Sequence, residues 1–180
     1  RSADALPRPF PGPRAGRIEL TDLSGGSRRL QVVARLVQQD DKGSLHLEGI
    51  DKLIVDRGSA PPLVVSAEKG GVAGEPGKRF MRLEGGVSVR EEEAGLAVSL
   101  PTLEVDEAAD EARSIGQVTV QEPSYRGSAA SVVYGLHGQP TLLTELRLSG
   151  SDGSTVEAQQ ARLLDGPKDV DLMGDVRGRG

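Results

Sequence analysis

The sequence predicts an all-β protein: short antiparallel strands layered as a sandwich, jelly roll or barrel. Three observations carry that expectation. Through residues 79–121, apolar and polar side chains alternate with a period of two. Met81, Leu83, Val87 and Val89 interleave with Arg82, Glu84, Ser88 and Arg90; Leu96, Val98 and Leu100 repeat the pattern; Leu103, Val105, Val118 and Val120 extend it. This period gives each strand one apolar and one wet face. Clusters of Gly, Pro, Asp and Ser punctuate the chain at intervals of about ten residues. A loose Gly-x-Val-x-Val phrase also recurs, at Gly86–Val89 and Gly116–Val120, with an echo at Gly174-Asp175-Val176.

In chain order, residues 1–17 carry Pro7, Pro9, Pro11 and Pro13. Proline has no amide hydrogen for a ladder, so this segment reads as an extended linker. Ile18–Leu23 is a short strand ended by Gly25-Gly26. Arg28–Gln39 fits a strand or three helical turns. Its β-branched Val32, Val33 and Val37 and the turn Asp40–Gly43 favour strand, with Leu30, Val32, Ala34 and Leu36 on one face. Ser44–Val55 is its hairpin partner, and Asp56–Pro62 reads as a turn. Leu63, Val65 and Ala67 make the next apolar face, and Glu75–Lys78 is a strong turn. Glu91–Gly95 is a charged turn. Asp106–Ala112 looks locally helical but is too short to stand alone, and reads as a polar hairpin connection. The small residues Gly127–Ala130 permit a tight bend or close sheet packing. Val132–Leu136 and Thr141–Leu148 are strands, with Leu142, Thr144, Leu146 and Leu148 sharing a face. Thr155–Leu164 and Val170–Val176 form a last pair around Asp165–Lys168.

Composition narrows the function classes. The chain of 180 residues has no Trp or Cys, two Phe and two Tyr, so its core is aliphatic. Such a core has no aromatic platform for sugar rings or unstacked bases. A net charge of −5 with no basic block argues against a nucleic-acid partner. Without cysteine there is no disulfide or thiolate metal site, and the compartment stays open. No apolar run of about 18 residues exists to span a membrane as a helix. The chain opens on Arg1-Ser2-Ala3-Asp4, which reads as a truncated or a processed start, and whether an anchor or signal lies upstream stays open.

Catalytic patterns are missing. His46 lies on a polar strand face and His137 in a turn, neither with a second ligand at metal spacing. No phosphate-binding glycine loop and no serine nucleophile elbow occurs. Asp51 with Asp56, or Asp106 with Asp110, could be imagined as a glycosidase pair, but these carboxylates fall on loops with no ring beside them. Asp106–Asp110 lacks the ordered loop of a calcium site. The sequence therefore predicts a non-enzymatic protein without cofactor or metal.

What stands out is the aliphatic face itself: Val65, Met81, Leu83, Val87, Val89, Leu96, Val98, Leu100, Leu103, Val105, Val118 and Val120. These residues read either as plain core or as the wall of a groove that takes acyl chains. Each buried methylene of such a chain is worth roughly 0.8 kcal/mol.

From Arg28 to Leu148 the chain resembles the periplasmic domain of the lipopolysaccharide-export protein LptC. That domain belongs to the OstA-like group, with LptA and the N-terminal domain of LptD. The resemblance rests on the order of several phrases: Leu30–Asp41, Leu63–Gly70, Met81–Val89, Leu96–Asp106, Ser114–Val120 and Tyr125–Ala130. Where the family has Tyr-Asp, this chain has Val105-Asp106. Residues 149–180 resemble further OstA-like strands, the start of another repeat.

The resemblance implies an open, twisted β-jelly roll over residues 18–148. Its interior would hold the acyl chains of lipopolysaccharide on their way from an inner-membrane ABC transporter toward the outer membrane. It further implies a periplasmic location, tethering to the inner membrane through a segment outside this chain, contact with the transporter's permease subunits, and docking of an LptA-like bridge domain by strand addition. Ile18 and Leu20 at one end, and Val156, Ala158, Val170 and Leu172 at the other, are the expected docking edges. The competing reading is a closed scaffold or adhesin-type module with a filled core.

Overall fold

A computed structural model describes residues 14–22, 30–58, 60–75, 77–91, 96–137, 139–163 and 170–180. The proline-rich segment up to Pro13, the Gly25-Gly26 break, residues 92–95 of the charged turn and the Asp165–Lys168 turn lie outside them. Among the described residues there is no helix, and hence none long and apolar enough to cross a membrane. The described residues form fourteen strands in one antiparallel sheet.

Seven strands run as a meander: β1 (Arg14–Asp22), β2 (Leu30–Gln39), β3 (Leu45–Arg57), β4 (Ala60–Ala73), β5 (Phe80–Glu91), β6 (Ala97–Asp106) and β7 (Glu111–Ile115). Then come β8 (Val118–Gln121), β9 (Tyr125–Ala129), β10 (Ser131–Gly135), β11 (Thr141–Gly150), β12 (Thr155–Leu163), β13 (Val170–Met173) and β14 (Arg177–Arg179). Beyond β6 short strands share the ladder of long ones. β7 and β8 both pair with β6, β10 and β9 both pair with β11, and β13 and β14 both pair with β12.

A single line of irregularity explains this division. The ladder shifts between Ala15 and Ile18 in β1, Val33 and Ala34 in β2, Ile50 and Leu53 in β3, Ser66 and Lys69 in β4, and Glu84 and Val87 in β5. The line continues through Pro101 in β6, the β7–β8 and β9–β10 breaks, Glu145 in β11 and the β13–β14 gap. Gly49, Gly85, Gly86, Gly116, Glu145 and Gly174 on this line all have positive φ. Bulges of this kind bend a strand and add twist. Repeated in register across the sheet, they fold it along one crease into two facing leaves. One leaf holds Phe80–Glu84, Thr102–Asp106, β7, β10 and β13; the other holds Val87–Glu91, Ala97–Ser99, β8, β9 and β14.

The fold is thus a twisted β-jelly roll made from one creased sheet. It is open in that β1 and β13 end the strand order without pairing to each other. Inner-face residues of both leaves merge into one cluster, running from Val32 and Val37 in β2 to Ala161 and Leu163 in β12. Each buried Val or Leu contributes about 1.5–3 kcal/mol.

The crease also corrects several sequence expectations. Leu142, Thr144, Leu146 and Leu148 do not share a face. Glu145 turns through φ 48°, so Leu143 points inward before it and Leu146 after it, while Leu142 is exposed. In β2 the inward series passes from Ala34 to Val37, leaving Leu36 outside the core. The turn expected over Asp56–Pro62 is tighter than that: β3 runs to Arg57, β4 starts at Ala60, and the chain reverses between these two paired residues. Pro61 and Pro62 fit there because they fall in the irregular stretch between the Arg57–Ala60 and Val55–Leu63 pairs. β1 starts at Arg14, inside the segment read as linker. Val156 and Ala158 are not edge residues: β12 lies between β11 and the β13–β14 pair, and both side chains belong to the inward series.

Candidate functional site

The aliphatic side chains singled out from the sequence converge in space. Val65, Met81, Leu83, Val87, Val89, Leu96, Val98, Leu100, Leu103, Val105, Val118 and Val120 all belong to the inter-leaf cluster, none more than 4% exposed. Leu83 pairs with Leu103 on one leaf, and Val89 with Val98 on the other. The leaves close on each other at this point and fill the space between them.

Toward the C-terminal end the apolar inner face becomes accessible. Leu143, Ala161 and Leu172 lie opposite one another on β11, β12 and β13. Leu143 and Ala161 are buried, whereas Leu172 is 37% exposed, so the interior opens at the last strand. Leu148 and Val156, paired on the second leaf, are half-buried. Of the expected docking residues, Val170 and Leu172 lie on β13 and Ile18 and Leu20 on β1; among the described residues β13 pairs with β12 alone and β1 with β2 alone. A strand paired on one side presents unpaired backbone groups on the other.

The rims opposite the crease hold what sequence reasoning missed. Phe80 and Glu91 end the same strand and would stand ~36 Å apart if β5 were straight. Folding brings those two rims together at Arg57. Its Nε donates to the Gly135 carbonyl at 2.9 Å and its Nη2 to Thr141 Oγ1 at 3.2 Å, both on the opposite leaf. Nη1 donates to the Pro61 carbonyl at 3.3 Å and lies 3.6 Å from Glu91 Oε1. Thr141 Oγ1 in turn donates to Glu91 Oε1 at 3.1 Å, and the Tyr134 ring lies 5.8 Å from the guanidinium carbon. Arg57, Glu91, Thr141 and Tyr134 are all buried. Burial lowers the Arg57 pKa against the opposing pull of Glu91. Burial also raises the Tyr134 phenol far above its ordinary value, and the Glu91 charge adds to the rise.

A second buried pair stays within one leaf. Arg79 N donates to Glu107 Oε1 at 2.9 Å, and the Glu107 amide returns a bond to the Arg79 carbonyl at 3.0 Å. By sequence Glu91 falls in a charged turn and Glu107 in a polar hairpin connection. Their burial has no local signal, because it depends on which strand ends meet. A signal does exist for the crease. Inward apolar positions step by two, then three, then two, as in Val65-Ala67-Gly70-Val72 and Val98-Leu100-Leu103-Val105.

Outer faces carry exposed charge ladders. Arg82 binds Glu84 and Glu104 at 2.7 Å each, and Arg113 reaches Glu104 at 3.3 Å. Each histidine has a carboxylate partner: His46 Nε2 lies 3.3 Å from Glu48, and His137 Nδ1 lies 2.7 Å from Asp110. Among the described residues no group of three His, Asp or Glu could hold a metal ion. Open cavities of about 630 and 750 Å³ lie beside Glu145 and beside Tyr125. Neither is lined by any of the twelve inter-leaf residues.

No protein-family model matches this sequence, and no curated protein sequence matches it significantly. The structure is similar to that of LptH from Pseudomonas aeruginosa, described as the LptA homologous periplasmic component of the conserved lipopolysaccharide transport device. That likeness covers 66% of this chain and 94% of the other, at 13% identity and a TM-score of 0.48.

Proposed function

We propose that this chain is a lipid-binding bridge component of the periplasm. It accepts lipopolysaccharide acyl chains between its two leaves and passes them from an inner-membrane ABC transporter toward the outer membrane. The observation that carries this reading is the continuous aliphatic interior between two leaves hinged at one crease. Such leaves can part without breaking a strand ladder, because ladder bonds run within the sheet and not between the leaves. The interior that opens is Val, Leu, Ile, Met and Ala, with Tyr134 as its one aromatic side chain among the described residues and an accessible end at Leu172. Acyl chains need no charged or catalytic group to bind there. The free sides of β1 and β13 suit addition of an LptA-like bridge domain at one end and a permease-linked domain at the other.

A second reading, a non-enzymatic scaffold or adhesin-type module, is favoured by the complete burial of the twelve inner residues. One experiment separates the two. A photocrosslinking amino acid is placed at Val98, Leu83, Leu100 or Val118, with exposed Ser99 as control, in cells that export lipopolysaccharide. Covalent lipopolysaccharide at the inner positions and none at Ser99 supports the bridge. Absence of adducts at all four inner positions rejects it in favour of the scaffold.

A further inference from the structure

We propose that Arg57, Glu91 and Thr141 form a latch between the two rims, and that an acyl chain reaches the interior when this latch parts. The inference rests on the lipid-binding reading and assigns it a place of opening. Three features support it. The cluster joins opposite leaves through residues 50 to 84 positions apart. Among the described residues, the Arg79–Glu107 and Leu136–Asp110 hydrogen bonds by contrast each stay within one rim. Chemically, the latch is polar at the edge of an aliphatic interior. Purely apolar rims would be fixed only by shape, whereas a hydrogen-bonded ion pair has one preferred geometry and breaks stepwise.

Thr141 is the weak link and therefore the informative one. Its hydroxyl accepts from Arg57 and donates to Glu91, so it couples the cation of the β3 end to the carboxylate of the β5 end. Thr141→Val keeps the side-chain shape and deletes both bonds. Glu91→Gln keeps the shape and deletes the charge. Arg57, Thr141 and Glu91 are positioning residues here, since none has to touch the lipid.

The chain has no cysteine, so two introduced ones are the sole labelling sites. Arg90→Cys and Ala109→Cys are exposed positions on opposite rims, outside the latch. Spin labels there report the rim-to-rim distance, and stopped-flow fluorescence with pyrene-labelled hexadecanoic acid reports acyl uptake. The expected result is one narrow distance in the parent that lengthens when the fatty acid is added. T141V and E91Q broaden and lengthen the distance without lipid and take up the probe about tenfold faster, the factor expected from losing a charge-assisted hydrogen bond. If folded T141V and E91Q retain the parent distance and uptake rate, the latch is wrong and the lipid reading stands. If their distances lengthen but no form takes up the probe, the latch stands as a structural clasp and the lipid reading falls.

Discussion

Arg79 and Glu107 hold each other through both backbone and side chain. The Glu107 carboxylate accepts from the Arg79 amide, the Glu107 amide donates to the Arg79 carbonyl, and the guanidinium lies 3.8 Å from the same carboxylate oxygen. Both side chains are buried, at 2% and 7% exposure, so the pair seals one rim of its leaf with fully desolvated charge.

That geometry makes the two truncations of Glu107 unequal. Glu107→Ala leaves the buried guanidinium without its carboxylate and should cost about 3–5 kcal/mol in urea unfolding. Glu107→Gln retains an oxygen for the Arg79 amide and should cost less. Equal losses would mean that the charge carries the whole effect and the retained oxygen contributes nothing.

The strands were legible because alternation of period two survives in a single sequence. The crease was not read, although its trace is there: Val98-Leu100-Leu103-Val105 steps by two, three and two across Pro101. A strict period of two passes over that trace, taking Leu96–Leu100 and Leu103–Val105 as one more run of the same alternation. Arg57 and Glu91 were illegible for a different reason. Each lies in a string that looks like a solvated turn, and only the meeting of two rims 50 residues apart or more buries them. Val156 and Ala158 look like edge residues in the sequence because the pairing of β13 and β14 beyond them depends on contacts no local pattern reports.

Glu145 sits in the left-handed region, φ 48°, in the middle of β11. For a residue with a Cβ this costs roughly 1–2 kcal/mol. Glycine relieves that strain but loses about 0.5–1 kcal/mol of backbone entropy. Glu145→Gly should therefore be neutral to stabilising by up to about 1 kcal/mol. Glu145→Val should be clearly destabilising, since branching at Cβ worsens the same clash. Thermal unfolding of both variants checks the order.

Gly127 in β9 faces the Arg147 carbonyl of β11 so closely that an added Cβ would overlap it. The obstacle is backbone, which cannot swing aside like a side chain. Gly127→Ala should lower stability by at least about 1–3 kcal/mol, the usual cost of overpacking. Hydrogen exchange should show the loss at β9 and at Arg147–Gly150, and not at β2 or β3. Uniform loss across the sheet would contradict a local clash.

Glu122 follows β8, and burial alone raises its carboxyl pKa. A raised folded value means the native state holds its proton more tightly than the unfolded chain. The sign then follows from linkage. The associated stability is fully present below the unfolded carboxylate value and is lost as pH rises through the raised folded value. Glu122→Gln should remove that loss. The variant should gain on the parent between mildly acidic and neutral pH and match it in stronger acid. Parallel stability curves across that range would show Glu122 to be as well solvated in the native state as in the unfolded one.

Leu172 sits on the terminal ladder strand with its side chain 37% exposed beside Met173, also 37% exposed. An apolar, unpaired strand is the pattern that recruits another chain, and lysine is the residue that natural edges use against it. β1 and β13 are different surfaces, so pairing between them is head to tail and grows without closing unless rotation brings the ends round. Sedimentation velocity of the parent should show association that rises with concentration through a ladder of sizes. Leu172→Lys should shift that distribution toward monomer with unchanged thermal unfolding, because its partner Ala161 stays covered by the opposite leaf. Discrete dimers that persist in L172K would place the contact elsewhere, away from β13, and would remove the strand-addition route by which a bridge could be extended.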